Sequence, residues 1–188
     1  MIGIWEKLFL EIKKKGLLVN KGLSEKEIVE IEQFYQIKFA PDHKLFLKHG
    51  LVIGDRFYNW RDDSKNNVKK IKEMLDWPLE GIIFDYENNN FTYSYEDGNG
   101  FHFLSSVHEF KVWYEANVPK LIPIYGHRFM SPVPENIGSP VYSIYQTDII
   151  YYGANIFTFF DNEFQFDLNI NYPKWETDQT PFWSELVR

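Results

Sequence analysis

A chain of 188 residues with 44% hydrophobic and 19% aromatic side chains has enough material for one packed core and is not a disordered segment. It contains no cysteine, which excludes disulfides and thiolate metal sites, and its formal net charge of −7 argues against nucleic acid as the main partner. No apolar run approaches the roughly 20 residues that span a bilayer, and the lysines of MIGIWEKLFLEIKKKG follow the apolar residues instead of preceding them, unlike a signal peptide.

Ile2, Trp5, Phe9 and Ile12 recur at helical spacing, so residues 2–15 read as an amphipathic helix stopped by Gly16. Ser24 and Glu27 form a capping box for a second helix, Leu23 and Ile28 its hydrophobic staple, and Ile28, Ile31 and Phe34 or Tyr35 its buried stripe. APDHKLFLKHG is a third helix, opened by Pro41 and closed at Gly50. LVIGDRFY (51–58) reads as a strand. Ser64 then caps a helix through Val68, Ile71 and Leu75 that is expected to end before Pro78. From Gly81 the pattern looks strand-like, and GIIFDY, the turn ENNN and FTYSY suggest a hairpin, followed by the turn EDGNG and the strand FHFLS. A helix over Ser106 to Asn117, strands LIPIY and PVYSIY separated by a loop from Gly126 to Pro140, a helix near residues 154–164 and a short helix after Pro181 complete the chain. Helices first, strands in the middle and helices last describe one α+β domain with a mainly antiparallel sheet flanked by helices, expected to be cytoplasmic.

The chemistry-bearing residues form no strong motif. The five histidines (43, 49, 102, 108, 127) show no metal-ligand spacing, so neither a metal nor a cofactor is expected. There is no GxSxG elbow, P-loop or GxGxxG after a strand. Paired carboxylates need no fixed spacing, so Asp85 with Glu87, and Asp148 with His127, are the pairs open to acid–base catalysis, and a small hydrolase would use His127 and Asp148. Each has a plainer role, since Asp85 can close the Asn-rich turn and Asp148 can bond backbone near a strand end. Gly126, His127 and Arg128 read as organisers of a long loop, with Arg128 forking onto loop carbonyls or a carboxylate such as Asp148.

GLSEKEIVEIEQFYQIKFAPDHKLFLKHG resembles the opening signature of the SUKH superfamily: a capped helix, a proline, then an aromatic–leucine pair and a terminal glycine. PLEGIIFDYENNNF is similar to a hairpin of a bacterial branch of that superfamily, and VPKLIPIYGHRFM with PVYSIYQTDIIYYG to its later strand–loop–strand, so the resemblance covers residues 20–165. One departure is Thr92 and Tyr93, where related members often carry tryptophan. The resemblance implies an antiparallel sheet flanked by helices and an immunity-type protein that neutralises a cognate bacterial toxin, commonly a nuclease or deaminase, by occluding its active site. It also allows a regulatory scaffold of the same fold. It carries no catalytic residues. An acidic binder would gain association rate against a basic toxin domain. The expected partner surface combines Asp85, Glu87, Glu96 and Asp97 around the two turns with Tyr125, Gln146 and Asp148 near the later strand ends.

Overall fold

In the computed structural model, which describes residues 3–188, a central four-stranded antiparallel sheet lies between two helical layers. Its strands are β5 (Ile122–Tyr125), β6 (Arg128–Met130), β7 (Val141–Tyr145) and β8 (Asp148–Gly153), hydrogen-bonded in that order. Two antiparallel ribbons flank it, β1 (Leu18–Asn20) with β2 (Leu51–Ile53), and β3 (Tyr93–Asp97) with β4 (Gly100–Leu104). The fold is α+β and all its sheets are antiparallel.

Alternation along the central strands divides the core in two. Ile122, Ile124, Met130 and Val141 face a cluster shared with α1 (Ile4–Lys14), α2 (Glu25–Tyr35), α3 (Pro41–His49) and α6 (Ile156–Phe164). Phe129, Tyr142, Ile144 and Ile149 face a second cluster with α4 (Lys65–Asn88), α5 (Val107–Asn117) and α7 (Trp183–Leu186). Phe157, Phe159 and Phe160 on one side and Phe110, Phe182 and Trp183 on the other are fully enclosed, which absorbs much of the aromatic surplus.

The helix boundaries follow their caps. The Ser24 side chain accepts from the Glu27 N–H while the Glu27 carboxylate accepts from the Ser24 N–H at 2.8 Å, the reciprocal pair read from the sequence. The same carboxylate accepts from Arg61 Nε at 2.6 Å, and these donors pull its pKa down to about 2. Pro41 opens α3, Ser106 caps α5 and Asn155 caps α6. In α1 the stripe consists of Trp5, Leu8, Phe9 and Ile12; Ile2 lies outside the described residues. In α2 it is Tyr35, not Phe34, that turns inward.

Four expectations are corrected. The helix capped by Ser64 does not stop at Pro78 but runs 24 residues to Asn88, with Pro78 inside it. Ile71, Leu75, Pro78, Ile82 and Asp85 form one continuous buried stripe, and that burial offsets the roughly 3 kcal/mol a mid-helix proline costs. GIIFDY is therefore helical, and the hairpin turns instead at EDGNG, pairing Tyr93 with Leu104 and Asp97 with Gly100. The segment after Gly126 is strand β6, not loop, and only Leu51 to Ile53 of the stretch 51–58 is strand.

Tertiary ties hold the long connections. Asp42, fully buried, accepts from the Gly138 N–H at 2.6 Å, the Ser139 N–H at 3.2 Å and the Tyr172 hydroxyl at 2.5 Å. Burial pushes its carboxyl above the ordinary range despite these donors. Tyr142 and Tyr151 both donate to Asp178, fixing the tail against β7 and β8. Outer strands are covered at one end: Phe57 bridges Tyr125 beside β5, and Val187 bridges Ile149 beside β8, where the Arg188 N–H donates to the Ile149 carbonyl at 3.1 Å.

His43 is buried against Phe39 and Trp60, its Nδ1 has no partner among the described residues, and burial holds its pKa down to about 3. The unfolded chain protonates this ring near pH 6.5 and the folded one does not, so stability is full above pH 6.5 and falls as pH drops towards 3. The expected loss is up to about 1.4 kcal/mol per pH unit, read as unfolding midpoints between pH 7 and 4.5. His43→Phe should flatten that dependence; an unchanged slope would show that another group carries it.

Candidate functional site

The antiparallel order places the β5–β6 turn (Gly126, His127) and the β7–β8 turn (Gln146, Thr147) at the same end of the central sheet. The first turn is tied to β7 just before the second, since the Ile144 N–H donates to the His127 carbonyl at 3.1 Å. Helix α4 crosses this end. Gly81 makes the crossing possible: a Cβ there would stand 2.9 Å from Gln146 Cα, so any side chain would push the turn away. Asp85, one turn later, accepts from both the N–H and the hydroxyl of Thr147, at 2.8 and 2.6 Å, and from Asn89 Nδ2 at 2.5 Å. Burial raises its pKa, but these bonds prevail and hold the carboxyl below its ordinary value.

The helical spacing that buries Asp85 also exposes a stripe at Trp77, Phe84 and Asn88. Trp77 is 37% exposed and Phe84 47%, on either side of the Gly81–Gln146 contact. Trp77 donates its indole N–H to the Ile144 carbonyl at 3.3 Å and meets Tyr145, 58% exposed, with ring centroids 6.1 Å apart. Exposed carboxylates of Asp76, Glu80 and Glu87 line the same helix, and Asp148 begins β8 beside the turn. The result is a rigid aromatic surface with an acidic border.

This end gathers Tyr125, Gly126, His127, Gln146 and Asp148 from the residues expected to bind or organise. Glu87 borders it along α4. Asp85 is placed there but is buried, so its carboxylate fixes a turn and presents nothing to a partner. Glu96 and Asp97 sit elsewhere, at the tip of the β3–β4 hairpin. The base of that hairpin touches α4, where the Tyr93 N–H donates to the Tyr86 hydroxyl, and its tip lies roughly 13 Å further along at ordinary strand rise. There Asp97 accepts from the Asn99 N–H and from His102, which lower its pKa. Trp77 and Phe84 were not legible as surface residues, because one was assigned to a helix end and the other to a strand.

His127 lies in the β5–β6 turn and Asp148 at the start of β8, and no hydrogen bond or ion pair between them is found among the described residues. Arg128 points to the opposite face of the sheet from α4. It donates to Ser143 Oγ at 2.8 Å, pairs with Glu163 of α6 at 3.6 Å and lies 3.8 Å from the centre of the Tyr152 ring. The expected carboxylate is present, but it is Glu163, not Asp148. Arg56 joins Glu163 at 3.3 Å, and its guanidinium lies over Tyr125. Burial lowers the pKa of His127, as do the adjacent charges of Arg128 and Arg56. Among the described residues, no group of three or more His, Asp or Glu is arranged to hold a metal ion, and no helix is long and apolar enough to cross a membrane.

Comparison with family models, curated proteins and solved structures finds no significant match.

Proposed function

We propose that this protein is an immunity-type binding protein of the SUKH kind, which captures a cognate toxin domain and occludes its active site. The observation that carries the reading is the surface of Trp77, Phe84 and Tyr145, three exposed large rings bordered by Glu80, Glu87 and Asp148. Aromatic anchors within a polar rim are the composition of protein-interface hot spots. The rings are also pre-positioned, since Trp77 is hydrogen-bonded and Gly81 and Asp85 lock the turn beneath them, so little conformational freedom is lost on binding. An acidic border suits a toxin whose own substrate site is basic, such as a nuclease, and a net charge of −7 speeds encounter.

The test is binding of the purified protein to the toxin domain encoded by the adjacent gene. Trp77→Ala and Tyr145→Ala should each weaken the complex by about 30-fold or more, the cost of a lost hot spot. Glu87→Lys and Asp148→Lys should slow association most at low salt. Asp97→Lys, on the separate hairpin, should change neither. Full affinity in both aromatic variants would move the interface away from this end of the sheet.

A further inference from the structure

A second site lies on the other helical layer, where α2 meets the segment leading into α4. A cavity of about 320 Å3 opens there, floored by Phe34, Tyr35, Trp60 and Val68. Tyr35 meets both Phe34 and Trp60 edge to face, with ring centroids 4.8 and 5.7 Å apart, so the floor is a fixed set of rings. Phe34 is 60% exposed, whereas Tyr35 and Trp60 are buried.

Carboxylates surround this floor. Of the charged residues at the opening, Arg61 is already engaged, donating to Glu27 at 2.6 Å and to the Lys21 and Gly22 carbonyls at 2.9 and 3.1 Å. Among the described residues, Glu30, Asp62 and Asp63 have no ion pair beyond a loose, exposed Lys26–Glu30 contact at 3.6 Å, although Asp62 accepts from the Ser64 N–H at 2.9 Å. One cation of the chain itself already lies near this exposed ring: Lys72 Nζ is 5.6 Å from the centre of the Phe34 ring. The negative face of an aromatic ring attracts a cation, and apolar walls can shelter the aliphatic stem behind it. An anionic group would be repelled by the border, and a purely apolar one would leave three carboxylates partly desolvated without compensation.

We infer that this cavity receives an arginine side chain of a partner protein, the guanidinium stacking on the exposed Phe34 ring while Asp62 or Asp63 accepts its hydrogen bonds. Arginine fits better than lysine because its planar group stacks and forks onto a carboxylate at once. This site is separate from the one proposed above: Val68 and Trp77 are nine residues apart on α4, which at 100° per residue puts them on opposite sides of the helix. Neither reading depends on the other.

The experiment is an amide-resonance titration of the intact protein with acetyl-Gly-Arg-Gly-amide and with the same peptide carrying neutral, isosteric citrulline. Arginine should shift resonances of residues 30–36 and 60–68 and bind about 10-fold more tightly than citrulline. Phe34→Ala and the double change Asp62→Asn with Asp63→Asn, all on partly or fully exposed positions, should each weaken it by about 5-fold. Trp77→Ala should leave it unchanged. Equal binding of the two peptides, or shifts scattered over the acidic surface instead of gathered at the cavity, would overturn the inference.

Discussion

Asp42→Ala is expected to lower the unfolding free energy by about 4 kcal/mol. Asp42 accepts from the Gly138 and Ser139 N–H groups and from the Tyr172 hydroxyl. Truncation strands two buried N–H groups and the part-buried Tyr172 hydroxyl at once, and an unsatisfied buried donor costs about 1–3 kcal/mol. The measurement is urea unfolding. The midpoint should fall while the slope stays constant, and the amides of Gly138 and Ser139 should lose their protection from exchange. Asp42→Asn, which keeps one acceptor oxygen, should be milder. If the alanine variant unfolds at the original midpoint, water replaces the carboxylate and the tie is not structural.

Glu163→Leu should cost about 3 kcal/mol, because it leaves the buried guanidinium of Arg128 without its counter-charge. Arg128 is 9% exposed, so its guanidinium is largely shielded from solvent. Glu163 also holds the more exposed Arg56, whose loss adds little. Removing both members tests the account: Arg128→Met with Glu163→Leu should recover most of the loss, since an apolar pair needs no compensation. A double variant as unstable as the sum of the singles would show that the arginine acts through its stacking on Tyr152 and its bond to Ser143.

The sequence was most informative where a local signal agreed with the tertiary outcome. Ser24 and Glu27, Pro41 and Gly50, and Ser106 all marked true helix ends, because capping is chemistry between residues three or four positions apart. It misled where a local rule met a stronger distant one. Pro78 looked like a terminator, yet Ile71, Leu75, Pro78, Ile82 and Asp85 keep the spacing of one helical face straight through it. That continuity was the available signal, and with it the exposed positions of Trp77 and Phe84 would have followed. Strand β6 was hidden for another reason. Three residues show too little alternation to read, although a 15-residue loop in its place was itself improbable in a compact domain. The convergence of Tyr125, Gln146 and Asp148 was foreseeable only as a possibility, since it depends on strand order, which no local pattern encodes. The pairing of Arg128 with Glu163 depends likewise on how α6 packs.

The bridges at Tyr125 and Ile149 bear on how a partner can approach. Both outer strands of the central sheet are already matched by Phe57 and Val187 at the end where the two turns meet, so neither offers a free row of backbone donors and acceptors there. An incoming chain cannot lengthen the sheet by laying down another strand at that end, and the same coverage guards against sheet-to-sheet association between copies. Recognition at this end therefore falls mainly to side chains, whose identities can be exchanged one at a time with little disturbance of the backbone beneath them. Such a surface can change its specificity by point substitution while the fold stays fixed.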